Sequence, residues 1–318
     1  MPEPVYFYLD TDVVSRLADG LLPNLKSMLT SEKCLPVYSS ILLSESFGKP
    51  KFDAKIGFLD EINAHRIVVE DHESSDAKIY DERASEIRNW ASEGNIADGI
   101  ERVLDRFSLF AHGSKSGPSL RQVSQEFESE ILEILEHLFS LSDDLPTETE
   151  RGLKNLTQYL VRSVKFDGEA TSKSNHLEME RYVQNYTSVG SITPPNIVQK
   201  IFQRLPSSQQ GEFLKLFGAK TPNVGKLVET AALLGMVGFN RDKNIGKKES
   251  SKSMRAARSD RHDVQHIAYG LVCHAFFTGD RRSARKAFVL AEYFGLGCVI
   301  VFVDSGGRVY GVSEKNCP

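Results

Sequence analysis

The sequence has little that could cross-link it or hold a structural metal. Its four cysteines, Cys34, Cys273, Cys298 and Cys317, lie far apart, with no CxxC pair and no histidine at metal-ligand spacing. That excludes a disulfide scaffold and a zinc-finger site, and it points to free thiols in a reducing, cytoplasmic setting. No apolar run approaches the ~18 residues that span a bilayer. The N-terminus has no basic stretch of the kind that opens a signal peptide, so neither a membrane segment nor secretion is expected. Basic excess is also missing: 39 Lys and Arg stand against 43 Asp and Glu, a net charge of −4. A general nucleic-acid coat is thereby excluded, and any contact with a polyanion must come from a local patch. No repeat at fixed period is apparent, which argues against a solenoid. What the chain does have is 318 residues, 40% of them hydrophobic, enough for one large or two modest domains.

The two ends of the chain share one pattern. The apolar run Val5–Leu9 leads to a helical stretch from Val13 to about Leu29, then to Leu35–Tyr38. Ser39 and Ser40 are placed to cap the next helix, which carries Glu45. Another helical pattern ends near Ile62, before the strand-like Arg66–Val69. Near the C-terminus, a helix from about Arg261 to Cys273 leads into the apolar run ending at Thr278. A helix over Arg282–Phe294, a strand over Cys298–Val303 and an edge strand over Arg308–Val312 follow. Short β-branched and aromatic runs alternating with helices predict a mostly parallel sheet flanked by helices on both faces. From about Asp76 to Phe239 only helix signals occur. Val123, Phe127, Ile131, Leu135 and Leu138 recur at helical spacing, Thr147 and Glu150 form a capping-box pattern, and Thr193-Pro194 and Thr221-Pro222 read as caps followed by proline. The expected organisation is an α/β domain in two halves, 1–90 and 252–318, interrupted by an all-helical insertion over 91–251. That insertion either packs on itself or offers a surface for a second copy or a protein partner. The polar, lysine-rich Arg241–Ser253 reads as a loop.

Acidic residues stand where the apolar runs end. Val5–Leu9 runs into Asp10, and Ala275–Gly279 runs into Asp280. A strand that delivers a carboxylate at its C-terminal tip places it in the crevice where open α/β sheets bind ligands. Glu45 follows the second strand, and Asp260 and Asp263 stand three apart at what reads as a helix start. Several carboxylates converging on one crevice repel unless a cation is present, and all-oxygen ligation suits Mg²⁺ or Mn²⁺. This combination points to metal-dependent chemistry on phosphate.

These segments together resemble a PIN domain, a nuclease family with a parallel α/β fold and acidic metal ligands. The resemblance rests on Tyr8-Leu9-Asp10-Thr11-Asp12, on Ser40 to Glu45, on Asp260 to Ala268 and on Phe277-Thr278-Gly279-Asp280, with 17 residues separating Asp263 from Asp280. It covers about 1–75 and 255–305. It implies Asp10, Glu45, Asp263 and Asp280 as metal-site carboxylates in catalytic positions, with Asp260 as a further ligand candidate. Asp12, Thr278 and His266 are then supporting residues; Asp12 stands where the family often has asparagine. The implied activity is an endonuclease acting on RNA rather than DNA and leaving a 5′-phosphate and a 3′-hydroxyl. Family roles range over toxins, RNA maturation and defence.

Basic residues lie near this set. Lys247, Lys248, Lys252, Arg255 and Arg258 precede Asp260, and Arg281, Arg282, Arg285 and Lys286 follow Asp280. The first group, with Arg281 and Arg282, is the candidate nucleic-acid contact, capturing backbone phosphate by counterion release; the rest of the second group reads partly as helix surface. Two alternatives stay open. Asp10-Thr11-Asp12-Val13-Val14 also fits the strand-end signature of haloacid dehalogenase-like phosphatases, with Asp10 as nucleophile and Asp12 as acid/base. That family's late acidic position falls on Ala284. A non-catalytic nucleic-acid- or protein-binding role for the same fold is the other.

Overall fold

The computed structural model describes residues 4–31, 34–68, 77–88, 192–205, 222–240 and 251–314, together with isolated positions between them (105, 122, 125, 126, 129, 189, 210, 211, 213, 214, 217 and 218). The chain divides into two compact units. The first comprises Met1–Ser92, Tyr186–Arg241 and Asp260–Pro318, and the second Glu93–Asn185 and Asp242–Ser259. Among the described residues, every strand belongs to the first unit.

That unit is built on a seven-stranded sheet. The elements run β1 (Val5–Leu9), α1 (Thr11–Ala18), α2 (Pro23–Leu29), β2 (Cys34–Tyr38), α3 (Ser40–Ser46), α4 (Phe52–Glu61), β3 (His65–Val68) and β4 (Lys78–Tyr80). They continue with α5 (Ile197–Arg204), α6 (Val224–Met236), α7 (Ser251–Leu271), β5 (Ala275–Thr278), α8 (Arg281–Phe294), β6 (Val299–Val303) and β7 (Val309–Gly311). The strand order is β4-β3-β2-β1-β5-β6-β7. The five inner strands are parallel, while β4 and β7 close the two edges antiparallel. This is an α/β fold with a mostly parallel sheet and flanking helices, as the alternation of runs and helices predicts.

Period-two alternation distributes the strand residues to two layers. Leu9, Tyr38, Ala275, Phe277 and Val303 join a core with Val13, Leu17, Leu25, Leu42, Ile56 and Leu59 from α1–α4. Each such aliphatic side chain taken out of water contributes about 1.5–3 kcal/mol. Tyr8 and Phe276 face the other way, where Tyr269 of α7 stacks on Tyr8 and Gly270 lies against the Phe276 ring. Strand β1 is central. It pairs with β2 from Val5↔Cys34 to Tyr8↔Val37, and with β5 from Phe7↔Ala275 to Leu9↔Phe277. The chain therefore lays strands on one side of β1 first and on the other side last. The strand order reverses between β1 and β5.

Several expectations change. The predicted single helix from Val13 to Leu29 is two helices, because Gly20 at φ 72° turns the chain and Pro23 starts α2. The region from Asp76 onward does supply one strand, the three-residue β4, too short for its alternation to show in sequence. Among the described residues from 91 to 251, the regular elements are helices. Their caps fall three and two residues beyond the predicted cap residues Thr193 and Thr221. Asn196, in the left-handed region, precedes α5, and the Asn223 side chain caps α6 by accepting from the Lys226 amide at 2.8 Å. Helix α7 begins at Ser251, ten residues ahead of the predicted start, because the Lys/Arg/Ala-rich stretch is helical. Ala256 and Ala257 pack there with Met254. The Val123–Leu138 stripe and the Thr147–Glu150 box lie outside the described residues.

Candidate functional site

The reversal of strand order between β1 and β5 opens the crevice in which doubly wound sheets bind ligands. Both strand tips at that point carry an aspartate. The Asp10 amide donates to the Phe277 carbonyl at 3.1 Å, binding the two tips together. Asp10 accepts through Oδ1 from the amides of Asp12 and Val13 at 3.0 Å each, capping α1. Asp280 does the same for α8, accepting from the amides of Arg282 and Ser283. Each acid is thus an N-cap in the helix-dipole position that favours a negative charge. Asp10 is buried at 7% exposure. Burial pushes its carboxyl up to about 6, against the hydrogen bonds from Thr278 and Val13. Thr278, wholly buried, donates to Asp10 from the tip of β5, and its Oγ1 also receives the Asp280 amide at 3.1 Å.

Asp260 and Asp263 sit inside α7 rather than at its start, so no free helix amides neutralise them. Asp260 is buried and paired with the equally buried Lys286 ammonium at 2.8 Å. Lys286, expected among surface charges of α8, is only 1% exposed. Asp263 is partly exposed and has no hydrogen-bond or ion-pair partner among the described residues. Its carboxyl is held well above the usual range by burial, then by the charges of Asp280 and Asp260. Asp280, Asp260 and Asp263 therefore lie in one electrostatic neighbourhood, tempered by Lys286 and Arg282.

Glu45 is placed differently. Its Oε1 accepts from His262 Nδ1 at 2.9 Å and its Oε2 from His266 Nε2 at 3.0 Å, while the Thr11 hydroxyl also donates to Oε2. Burial alone would raise its pKa; the bonds from His262, His266 and Thr11 outweigh that and hold the carboxyl far below the usual range. His266 Nδ1 lies 2.6 Å from the Tyr8 hydroxyl, which lies 2.7 Å from Ser39 Oγ. One direction satisfies every group: Ser39 donates to Tyr8, Tyr8 to His266 Nδ1, and His266 Nε2–H to Glu45. Ser39, expected to cap α3, makes no capping bond and spends its hydroxyl here.

Asp12 is half-exposed and forms an ion pair with Arg16 at 2.7 Å. Arg16 in turn donates to the carbonyls of Val303 and Asp304, at 3.2 and 2.6 Å. The Asp12 carboxylate lies so close to Gly279 that a Cβ there would collide with it. Among the basic candidates of this unit, Arg281 is exposed, Arg282 pairs with Asp280 at 3.2 Å, and Arg285 donates to the Ile192 carbonyl and stacks over Phe239. Lys252, Arg255 and Arg258 belong to the second unit; the first two are exposed and Arg258 pairs with Asp105 at 2.7 Å. Lys247 and Lys248 lie outside the described residues.

Sequence reasoning thus reached Asp10, Thr278 and Asp280 at the crevice, with Asp263 and Asp260 beside Asp280. It missed Tyr8, Ser39, Thr11 and Lys286 as parts of the site. The one available signal was the spacing of His262 and His266, a single helical turn apart. Among the described residues, no three His, Cys, Asp or Glu side chains stand close enough to share one metal ion as placed. Their chemistry does suit a hard cation: Asp10, Asp263 and Asp280 offer oxygen only, and Asp263 has no hydrogen-bond or ion-pair partner among the described residues. No helix among the described residues is long and apolar enough to cross a membrane. Cys34, Cys273 and Cys298 are free thiols. Neither a protein-family model nor a curated protein nor a solved structure matches the chain.

Proposed function

We propose that the chain is a divalent-metal-dependent endoribonuclease of PIN-like, three-layer architecture, working in the cytoplasm, with a helical insertion between the two halves of its α/β domain. The observation that carries this reading is the delivery of Asp10 and Asp280 to the tips of neighbouring parallel strands where the strand order reverses, with Asp263, which has no hydrogen-bond or ion-pair partner among the described residues, within electrostatic reach of Asp280. A bound Mg²⁺ or Mn²⁺ would screen the phosphate charges and lower the pKa of the attacking water. Asp10, Asp263 and Asp280 are the residues to hold it, after side-chain rotation toward a common point. Thr278 fixes the Asp10 carboxylate by hydrogen bonding. Glu45, with both oxygens engaged, anchors His262 and His266 at the edge of the site and reaches a cation only by releasing a histidine. His266, buried with both ring nitrogens engaged by Tyr8 and Glu45, supports the site by fixing the Glu45 carboxylate. The haloacid dehalogenase-like alternative needs Asp12 as a free acid/base, and its ion pair with Arg16 speaks against that role.

The test is incubation of the full chain with RNA and DNA substrates in Mn²⁺, Mg²⁺ or chelator, followed by end-group analysis. Cleavage of RNA that needs the metal, leaves a 5′-phosphate and disappears in Asp280→Asn is expected. An absence of metal-dependent cleavage, or cleavage that survives in both Asp10→Asn and Asp280→Asn, refutes the proposal.

A further inference from the structure

Two lysines are buried among the described residues, and only one of them has a counter-charge. Lys286 is paired with Asp260 at 2.8 Å. Lys55 of α4, 7% exposed, makes one hydrogen bond and no ion pair among the described residues: its Nζ donates to Oγ of the wholly buried Ser46 at 3.1 Å. A buried ammonium without a compensating charge is costly. The carboxylates whose charges reach Lys55 are already engaged. Glu45 holds His262 and His266, Asp12 pairs with Arg16 at 2.7 Å, and Asp19 pairs with Lys51 at 2.7 Å. Burial, and then the charge of the exposed Lys49, lowers the Lys55 pKa. The place is short of a negative group.

The surroundings supply further donors. Helix side chains lean toward the helix N-terminus, and the bond to Ser46, the last residue of α3, brings the Lys55 ammonium to the turn between α3 and α4. Helix α4 has ten residues and no side-chain cap, and its first turn leaves the amides of the exposed Asp53 and Ala54 without an intrahelical acceptor. The Asp53 carboxylate is occupied by Arg88 at 2.6 Å. A helix start of this kind favours an anion. Ser46 follows Glu45, whose carboxylate accepts from Thr11, the residue after Asp10, so the turn stands on the β2 flank of the crevice. We propose that the α3–α4 turn is an oxyanion site, with Lys55 as its buried anchor and Lys49 at its rim, taking a backbone phosphate of RNA beside the one that is cut. The assignment to RNA rests on the reading given above; the oxyanion site does not.

The test uses the full chain in chelator, where metal-dependent cleavage cannot occur. The amide signals of Asp53 and Ala54 are followed by nuclear magnetic resonance while inorganic phosphate or a single-stranded oligoribonucleotide is added. RNA affinity is measured by fluorescence anisotropy over a range of salt. Both ligands should shift the two amides. Lys55→Met should weaken RNA binding at least about tenfold, the scale of one hydrogen bond to a charged group. It should also flatten the salt dependence by about 0.7 log–log units, one single-strand phosphate contact. Amides that respond to neither ligand overturn the site, and the wild-type titrations decide this even if Lys55→Met does not fold. A folded Lys55→Met with unchanged affinity and slope also overturns it, leaving Lys55 a neutral amine packed on Ser46. A response to inorganic phosphate without one to RNA overturns the assignment to RNA and leaves a site for free phosphate. A response of these amides to RNA in a chain that cleaves nothing with Mn²⁺ or Mg²⁺ upholds the site and refutes the nuclease reading; metal-dependent cleavage without that response does the reverse.

Discussion

Replacing Asp10 with asparagine should stabilise the protein at neutral pH in the absence of metal. The carboxyl of Asp10 is raised from 3.8 to about 6, chiefly by burial. A raised value in the folded state means that the folded chain holds a proton which the unfolded chain has released. Stability from this group is therefore complete below the unfolded value, falls as pH rises between about 4 and 6, and stays low above that. Each tenfold change in proton affinity corresponds to about 1.36 kcal/mol, so ionising Asp10 at neutral pH costs the fold about 3 kcal/mol as an upper bound. Asparagine caps a helix about as well as aspartate, and it carries no charge to desolvate. Asp10→Asn should thus match the wild type near pH 4 and exceed it at neutral pH by up to ~3 kcal/mol, or on the order of 5–10 °C in melting temperature for a unit of this size. Thermal melts in chelator across that pH range check the sign and the slope. Adding Mn²⁺ should then stabilise the wild type more than the variant, because binding to the folded state alone raises stability. A wild type more stable than Asp10→Asn at neutral pH in chelator would refute the reasoning, since the buried charge would then be compensated.

Other consequences are equally open to measurement. Tyr8→Phe removes the hydroxyl between Ser39 and His266 and leaves two buried groups without a partner, so stability should drop by about 1–3 kcal/mol in denaturant titration; a neutral result would mean that the two groups find each other. Gly270→Ala places a Cβ 2.5 Å from ring carbons of the fully buried Phe276, and a loss of about 1–3 kcal/mol should follow, with an unchanged melting curve counting against the tight approach of α7 to β5. Changing Lys247, Lys248 and Lys252 together to glutamine should weaken single-stranded RNA binding and flatten its salt dependence by about two log–log units if all three meet phosphate. An unchanged slope would move the electrostatic capture to Arg281.

The sheet and its two catalytic candidates were legible in the sequence because both depend on short-range pattern. An apolar run that stops at an acid, as Phe7-Tyr8-Leu9-Asp10 and Phe277-Thr278-Gly279-Asp280 do, records strand, tip and cap in neighbouring residues. What escaped was set by tertiary placement. Lys286 reads as one of four basic residues after Asp280, and only the packing of α8 shows that it is buried on Asp260. Ser39 reads as a cap, yet Tyr8 claims its hydroxyl from another strand. Asp260 resembles the start of a helix because the basic stretch before it suggests a loop. Its charges sit on a continuous helix whose alanines supply the apolar contact. Strand β4 escaped because three residues carry too little periodicity to register.

The central strand acquires its two neighbours at very different times. Strand β2 leaves the ribosome soon after β1, but β5, which flanks β1 on the other side and precedes Asp280, is synthesised some 240 residues later than β2. During most of translation β1 is therefore an edge, with its outer row of amides and carbonyls unpaired and open to mispairing. The same delay keeps Asp10 apart from Asp280 until almost the whole chain exists. Any nascent or truncated product lacks half of the acidic crevice, so an RNA-cleaving activity seated there would be withheld while the chain is still attached to its own message. Release of such an activity would coincide with closure of the sheet.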